Sequence, residues 1–324
     1  MTRTRSIHFT FSWLLVFFVV GPSNAQTLYW TDIGSSKIQR LDLQAGIGVE
    51  DLLTAGQVST PIDVAVDQEG GKMYWTESSP ADFMIQRANL DGSNVEFVVT
   101  HLVSPSGIAL DVAGGKIYWT DIGAGKIQRS NLDGSAVEDL LAFIDVITPI
   151  DIALDIAENK IYWTEGSLAD FQISRADLDG SNVQFLVTHL VSPSGIALDV
   201  DSGKIYWTDL GTGKIQRSNL NGSGMEDLVA TGAIAPVRIA LDLLAGKLYW
   251  TEASLADFMI SRANLDGSNV EVLVEGLTSP SGLTVVPVPE PSSALAGFFG
   301  TVVLALLQQT RRLRQPQKSS AVSH

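Results

Sequence analysis

The sequence predicts an all-β chain: a six-bladed β-propeller of four-stranded antiparallel blades, with the ring closed by the C-terminal inner strand. Three observations predict it. First, Tyr-Trp-Thr followed by an acid occurs six times, at Tyr29–Asp32, Tyr74–Glu77, Tyr118–Asp121, Tyr162–Glu165, Tyr206–Asp209 and Tyr249–Glu252, spaced 43 to 45 residues apart. A fixed period of this length marks a propeller or a solenoid. Second, no segment between residues 26 and 288 carries a sustained helical period with caps. Third, the two aromatics are adjacent, and successive strand side chains point to opposite faces. A sandwich with one wet face would expose one aromatic per unit, whereas a propeller blade is covered by neighbours on both sides. The pairs Tyr29-Trp30, Tyr74-Trp75, Tyr118-Trp119, Tyr162-Trp163, Tyr206-Trp207 and Tyr249-Trp250 are therefore the predicted structural core. Burying one Trp removes roughly 150–250 Å² from water, on the order of 4–6 kcal/mol before entropy is deducted.

Each unit reads as four short strands. In the third, Gly107–Val112 is small and apolar and suits a crowded inner strand, followed by the motif strand Lys116–Thr120. Lys126–Asn131 comes next, and Asp133-Gly134 signals a hairpin into an outer strand over Ala136–Leu141. The first motif begins at Thr27 with no inner strand before it, while Ser281–Pro287 is an inner strand with no motif after it. The last strand is thus expected to complete the first blade and remove two open sheet edges. With no Cys in the chain, this clasp is the main seal. Pro287, Pro289 and Pro291 then stop further pairing.

A longer period overlies the first. Odd units follow the motif with a short loop, such as Ile122-Gly123-Ala124-Gly125, and even units with a longer one ending Asp82-Phe83, Asp170-Phe171 or Asp257-Phe258. The repeating element is a pair of blades of about 88 residues, present three times, which predicts approximate three-fold symmetry.

The six motifs resemble the YWTD (class B) repeats of the low-density-lipoprotein-receptor family, over residues 26–288. The resemblance implies a six-bladed propeller and a protein ligand bound through one face. Copies two, four and six depart from it by carrying Glu for Asp, and the Cys-rich modules that flank receptor propellers are missing, so receptor activity is not carried over.

The two ends are set apart from this body. Residues 1–25 carry Arg3 and Arg5, an apolar run over Phe9–Val20 and the small exit Ser23-Asn24-Ala25, the pattern of a secretory signal peptide cleaved after Ala25. Residues 289–314 carry Pro289-Glu290-Pro291, an apolar stretch over Ala294–Leu307, then Arg311, Arg312 and Arg314. That stretch would make a helix of about 21 Å, short for a bilayer core of about 30 Å. The order of parts resembles the PEP-CTERM sorting tail of exported bacterial proteins, which implies an exosortase-type processing enzyme and delivery to the cell surface or medium. Residues 315–324 read as a disordered tail.

The formal charge is −15 overall, and −21 once the leader and everything after Glu290 are removed. Such a body disfavours nucleic acid, which needs clustered Lys and Arg, and leaves membrane contact to the terminal segments.

Candidate ligand-binding residues follow from topology. The loop after each motif strand shares a face with the start of each inner strand. That face is expected to collect the motif acids, the loop acids Asp82, Asp170 and Asp257, and His101 and His189 with Glu275 in the third matching place. At the channel mouth the inner strands bring Asp63, Gly107, Asp151, Gly195, Arg238 and Gly282. Carboxylates suit a Ca²⁺ ion. The weightier expectation is that the six motif acids pair with Arg40, Arg87, Arg129, Arg175, Arg217 and Arg262, which recur eight residues after the acid in odd units and ten in even ones, and that Arg238 repels a central metal. No cofactor is expected. Gly123–Lys126 and Gly211–Lys214 look phosphate-loop-like but lead into strands, not helices.

Catalysis needs differentiated residues converging on one point, and the candidates here recur by repetition. The favoured reading is a non-enzymatic surface or extracellular binding propeller with a protein or matrix ligand. The alternative is a propeller enzyme, a lactonase-like hydrolase or a lyase, with a metal in its channel.

Overall fold

Six four-stranded antiparallel sheets follow from the six motif copies. The structure is a computed structural model describing residues 26–44, 48–79, 82–142, 146–166, 171–230, 235–253 and 258–287. The expected leader, the sorting segment with Pro289, Glu290 and Pro291, and the tail lie outside the described residues, as do Asp170 and Asp257. We number the blades by motif copy. Their inner strands are Pro280–Pro287 for blade 1, then Pro61–Asp67, Pro105–Asp111, Pro149–Asp155, Pro193–Asp199 and Pro236–Asp242 for blades 2 to 6.

Blade 1 joins both ends of the body. Its motif strand Gln26–Asp32 pairs with Pro280–Pro287, Tyr29 opposite Thr284 and Trp30 opposite Leu283. Asp32 adds two hydrogen bonds across the closure, accepting from the backbone N–H groups of Thr278 at 2.9 Å and Ser279 at 3.1 Å. The clasp expected from the sequence is present.

The core lies between blades. The six motif Trp are completely buried, and each motif Tyr is nearly so. Tyr118 of blade 3 packs in one apolar cluster with Trp163 of blade 4, together with Ile127, Leu141, Ile152 and Ile161. The same pairing recurs around the ring, down to Tyr249 of blade 6 with Trp30 of blade 1. Adjacent aromatics point to opposite strand faces, so each blade offers a Trp to one neighbour and a Tyr to the other.

The motif Thr ties these layers together. A register shift between Pro61 and Asp63 lifts the Asp63 N–H out of the ladder. Thr76 Oγ1 accepts that N–H at 3.2 Å and donates to the Ser106 carbonyl of the next blade at 2.6 Å. All six motif Thr repeat this bridge; at the closure Thr31 accepts from Gly282 N–H and donates to the Ile62 carbonyl. Each Thr hydroxyl thus satisfies one donor and one acceptor inside a fully buried seam.

The expected pairing of motif acids with Arg is overturned. Register puts Arg40 opposite Tyr29 and Lys37 opposite Asp32, so acid and guanidinium lie at different ends of the hairpin. The Arg side chains meet the outer strand instead. Arg129 Nε donates to Glu138, Arg217 to Glu226 and Arg262 to Glu271, whereas Arg175 meets Gln184. Arg40, Arg87, Arg129, Arg175 and Arg217 also donate to a Leu carbonyl of the next blade, as Arg129 does to Leu178 at 2.9 Å.

Candidate functional site: the channel floor

Inner strands pair on one side only, so their other edges line a central channel. Three side chains fill one end of it. Asp63, Asp151 and Arg238 come from blades 2, 4 and 6 and are only 5%, 5% and 4% exposed. Sequence spacing places them at an open mouth; the structure buries them as the floor of a cavity of about 300 Å³ that continues along the channel to Val112. The intervening blades make this fit possible. A Cβ on Gly195 would lie 2.7 Å from the Arg238 Cα, and one on Gly107 would lie 2.7 Å from the Asp151 Cα. Small residues on blades 1, 3 and 5 therefore make room for charged ones on blades 2, 4 and 6.

The two carboxylates are held alike. Asp63 accepts from Val64 N–H at 2.9 Å and from Ile108 N–H of the next blade at 3.1 Å. Asp151 accepts from Ile152 N–H and Ile196 N–H, both at 2.9 Å. Arg238 breaks the three-fold pattern. Its Nη2 reaches across the channel to Ser106 Oγ at 2.9 Å and lies 3.5 Å from the Ile150 carbonyl; Nη1 lies 3.4 Å from Ser194 Oγ. Its Nε lies 3.9 Å from Asp151 Oδ2, an ion pair beyond hydrogen-bond length, and has no hydrogen-bond partner.

Burial pushes the Asp63 carboxyl up to about 7, helped by repulsion from Asp151 and opposed by Arg238 and the two N–H groups. Burial also raises Asp151, against the pull of Arg238 and its own two N–H groups. The guanidinium anchors over the channel where a central cation would sit. Among the described residues no three acidic or histidine side chains converge as a metal ion requires.

The remaining candidates stand apart on the motif-loop face. Asp82 is exposed at the start of the strand Asp82–Asn89, beside a groove lined by Glu77, Met84 and Phe97. His101 and His189 are exposed loop residues with positive φ, 63° and 61°. The third repeat holds Gly276 at that place, with φ 73°, and not Glu275 as the spacing suggested. Glycine and histidine share the position because the turn is left-handed, a conformation that His tolerates better than most side chains.

The motif acids serve their own loops. Asp121 accepts from the N–H groups of Val103, Ser104 and Ala124, at 2.9, 2.9 and 3.0 Å. The Glu copies do one thing more. Trp75, Trp163 and Trp250 donate their indole N–H to Glu77, Glu165 and Glu252, two residues along the same strand. In odd blades Trp30, Trp119 and Trp207 donate across the hairpin to Gln39, Gln128 and Gln216. The Asp-to-Glu departure supplies the extra methylene needed to reach a buried indole.

Comparison with known proteins agrees with this architecture. The profile of the low-density lipoprotein receptor repeat class B matches residues 71–112, 115–156, 159–200, 203–242 and 246–286. Nidogen-2 of Mus musculus is 42% identical over 66 residues, 20% of this chain and 4% of that protein, so the chain spans only a small part of that relative. Among solved structures, a nidogen/laminin complex chain superposes with a TM-score of 0.71 at 24% identity, covering 82% of this chain and 100% of that one. TolB from Acinetobacter baumannii gives 0.67 at 14% identity, covering 82% and 67%, and a Xanthomonas campestris gluconolactonase gives 0.57 at 17%, covering 68% and 78%. At those identities the likeness is one of fold. With five class B repeats covering more than half its length, the chain belongs to the low-density lipoprotein receptor class B repeat family.

Proposed function

We propose that this protein is an exported binding propeller that holds a protein partner on its motif-loop face. One observation carries the reading: that face leaves three large aliphatic side chains in solvent, Val103 at 52%, Ile147 at 47% and Val191 at 49%. They sit in loops between the outer strand of one blade and the inner strand of the next, beside exposed Asp82, His101, His189 and Glu275. Apolar side chains bordered by polar ones suit a protein interface. The strongly acidic body favours a partner with a basic rim. The chain of similar fold comes from a nidogen/laminin complex, which supports a protein ligand for this ring. The leader pattern of residues 1–25 and the tail over 289–314 support export and processing by an exosortase-type enzyme, with release or attachment at the cell surface.

The test is retention of a partner from the extracellular fraction by the immobilised full chain. A partner held by the native chain and lost from V103D/V191D, with an unchanged melting curve, fits the reading. Equal retention by both chains would place the interface elsewhere.

A further inference from the structure

At the channel floor one buried donor has no acceptor, and one buried carboxyl has no ion-pair partner within reach. Arg238 Nε is a buried donor with no acceptor. Asp63 accepts two backbone N–H bonds, yet the ion pair at the floor joins Arg238 to Asp151. Arg238 acts on Asp63 only through space, and a buried carboxylate with no cation in contact is unfavourable unless it takes a proton or a cation. Both groups line the same cavity of about 300 Å³. Its remaining walls combine aliphatic side chains, such as Ile108, Ile196 and Leu241, with Thr284 and the unpaired edges of the inner strands.

We propose that this funnel binds a small primary ammonium compound with an oxygen acceptor on the neighbouring carbon, the chemistry of an amino alcohol or an aminoacyl end. The ammonium donates to Asp63, and the oxygen accepts from Arg238 Nε–H. Charge selects this class. With both acids ionised the floor carries one net negative charge; an ammonium cancels it, whereas a zwitterion or an anion leaves it standing. A metal ion would need several oxygen ligands and would face the guanidinium directly. The bipolar head goes to the floor and its short carbon body meets the aliphatic wall. Two sources present this chemistry: a free amino alcohol and the N-terminal residue of a polypeptide. The site lies at the channel, apart from Val103 and Val191, so it stands or falls independently of the protein interface proposed above.

The test is calorimetric titration of the full chain with ethanolamine, glycinamide and triglycine amide. Propylamine serves as a cation without acceptor, and ethylene glycol as an acceptor without cation. At least one of the first three should bind about tenfold or more tighter than both controls, and the tighter of ethanolamine and triglycine amide identifies the source. Affinity should rise several-fold as pH passes from about 6 to about 8, because Asp63 must give up its proton, which it holds up to about 7. The charged side chains lining the cavity are Asp63, Asp151 and Arg238, and Asp63→Asn separates their contributions. D63N should lose binding while D133N, at an exposed hairpin turn, keeps it. Propylamine binding as tightly as ethanolamine and glycinamide, undiminished binding by a folded D63N chain, or no saturable heat with the native chain would overturn the proposal. Should D63N fail to fold, a pH-independent affinity of the native chain would overturn it equally.

Discussion

Trp250 Nε1 donates to Glu252 Oε1 at 2.7 Å, although the two residues are only two apart on one strand. Across the hairpin from Trp250 stands Ser261, too short to reach the indole as Gln216 does in the preceding blade. Glu252→Asp should therefore leave a buried indole N–H unpaired and cost about 1–3 kcal/mol. Adding Ser261→Gln should recover much of it. Urea denaturation of the single and double variants measures both, and equal stability of the single variant and the native chain would contradict the assignment.

Trp163 fills the layer between blades 3 and 4, against Tyr118. Trp163→Ala should lower stability by about 3–5 kcal/mol, since both faces of its strand are covered. A nearly neutral result in the same denaturation experiment would be incompatible with that layer.

Thr31 bridges the closure, holding Gly282 N–H and the Ile62 carbonyl. Thr31→Val keeps the shape and removes both bonds, leaving a buried donor and a buried acceptor unpaired, each worth about 1–3 kcal/mol. Removing residues 281–288 takes away all of the inner strand of blade 1 but Pro280 and should abolish cooperative unfolding, read by circular dichroism on heating. An unchanged melt would show that the ring closes by other means.

Asp63 makes stability depend on pH in a stated direction. Its folded carboxyl titrates at about 7, whereas an unfolded Asp titrates near about 3.9. Between those values the folded ring keeps a proton that the unfolded chain has lost. Its contribution to stability therefore falls as pH rises from about 4 to about 7 and is level above, a change on the order of 4 kcal/mol. Lys-paired acids such as Asp51 and Asp227, held below the usual range chiefly by Lys37 and Lys214, act oppositely and lose their contribution only as pH falls below the ordinary Asp value. The difference between native and D63N stability from pH about 4 to about 8 isolates the Asp63 share. Parallel curves would contradict it.

The fold was legible because its signals are local and repeated. Tyr118 and Trp119, adjacent on one strand, already require two covered faces, and a missing first inner strand already requires a returning last one. The pairings were harder. An Arg follows every motif acid by eight or ten residues and every motif Tyr by eleven or thirteen, and only register shows that Arg129 faces Tyr118 and not Asp121. The role of Glu77, Glu165 and Glu252 depends on where an indole N–H lies, which composition does not reveal. At the channel, the sequence placed Asp63, Asp151 and Arg238 on one ring. Their burial, and the reach of Arg238 across to Ser106, depend on glycines of intervening blades letting backbones approach closely.

The blade pair has a consequence for how such a ring can arise. The stretch from Pro105 to Ser192, about 88 residues, ends in the Tyr face of one blade and begins with the Trp face of another. Three copies of it carry the contacts needed to assemble a closed circle from separate chains. That trimer would place three copies of Asp151 at its centre and no guanidinium, so like charges would oppose assembly wherever those carboxyls are ionised. In a single chain one of the three places can differ, as Arg238 does, whereas in a symmetric trimer any change there would appear three times.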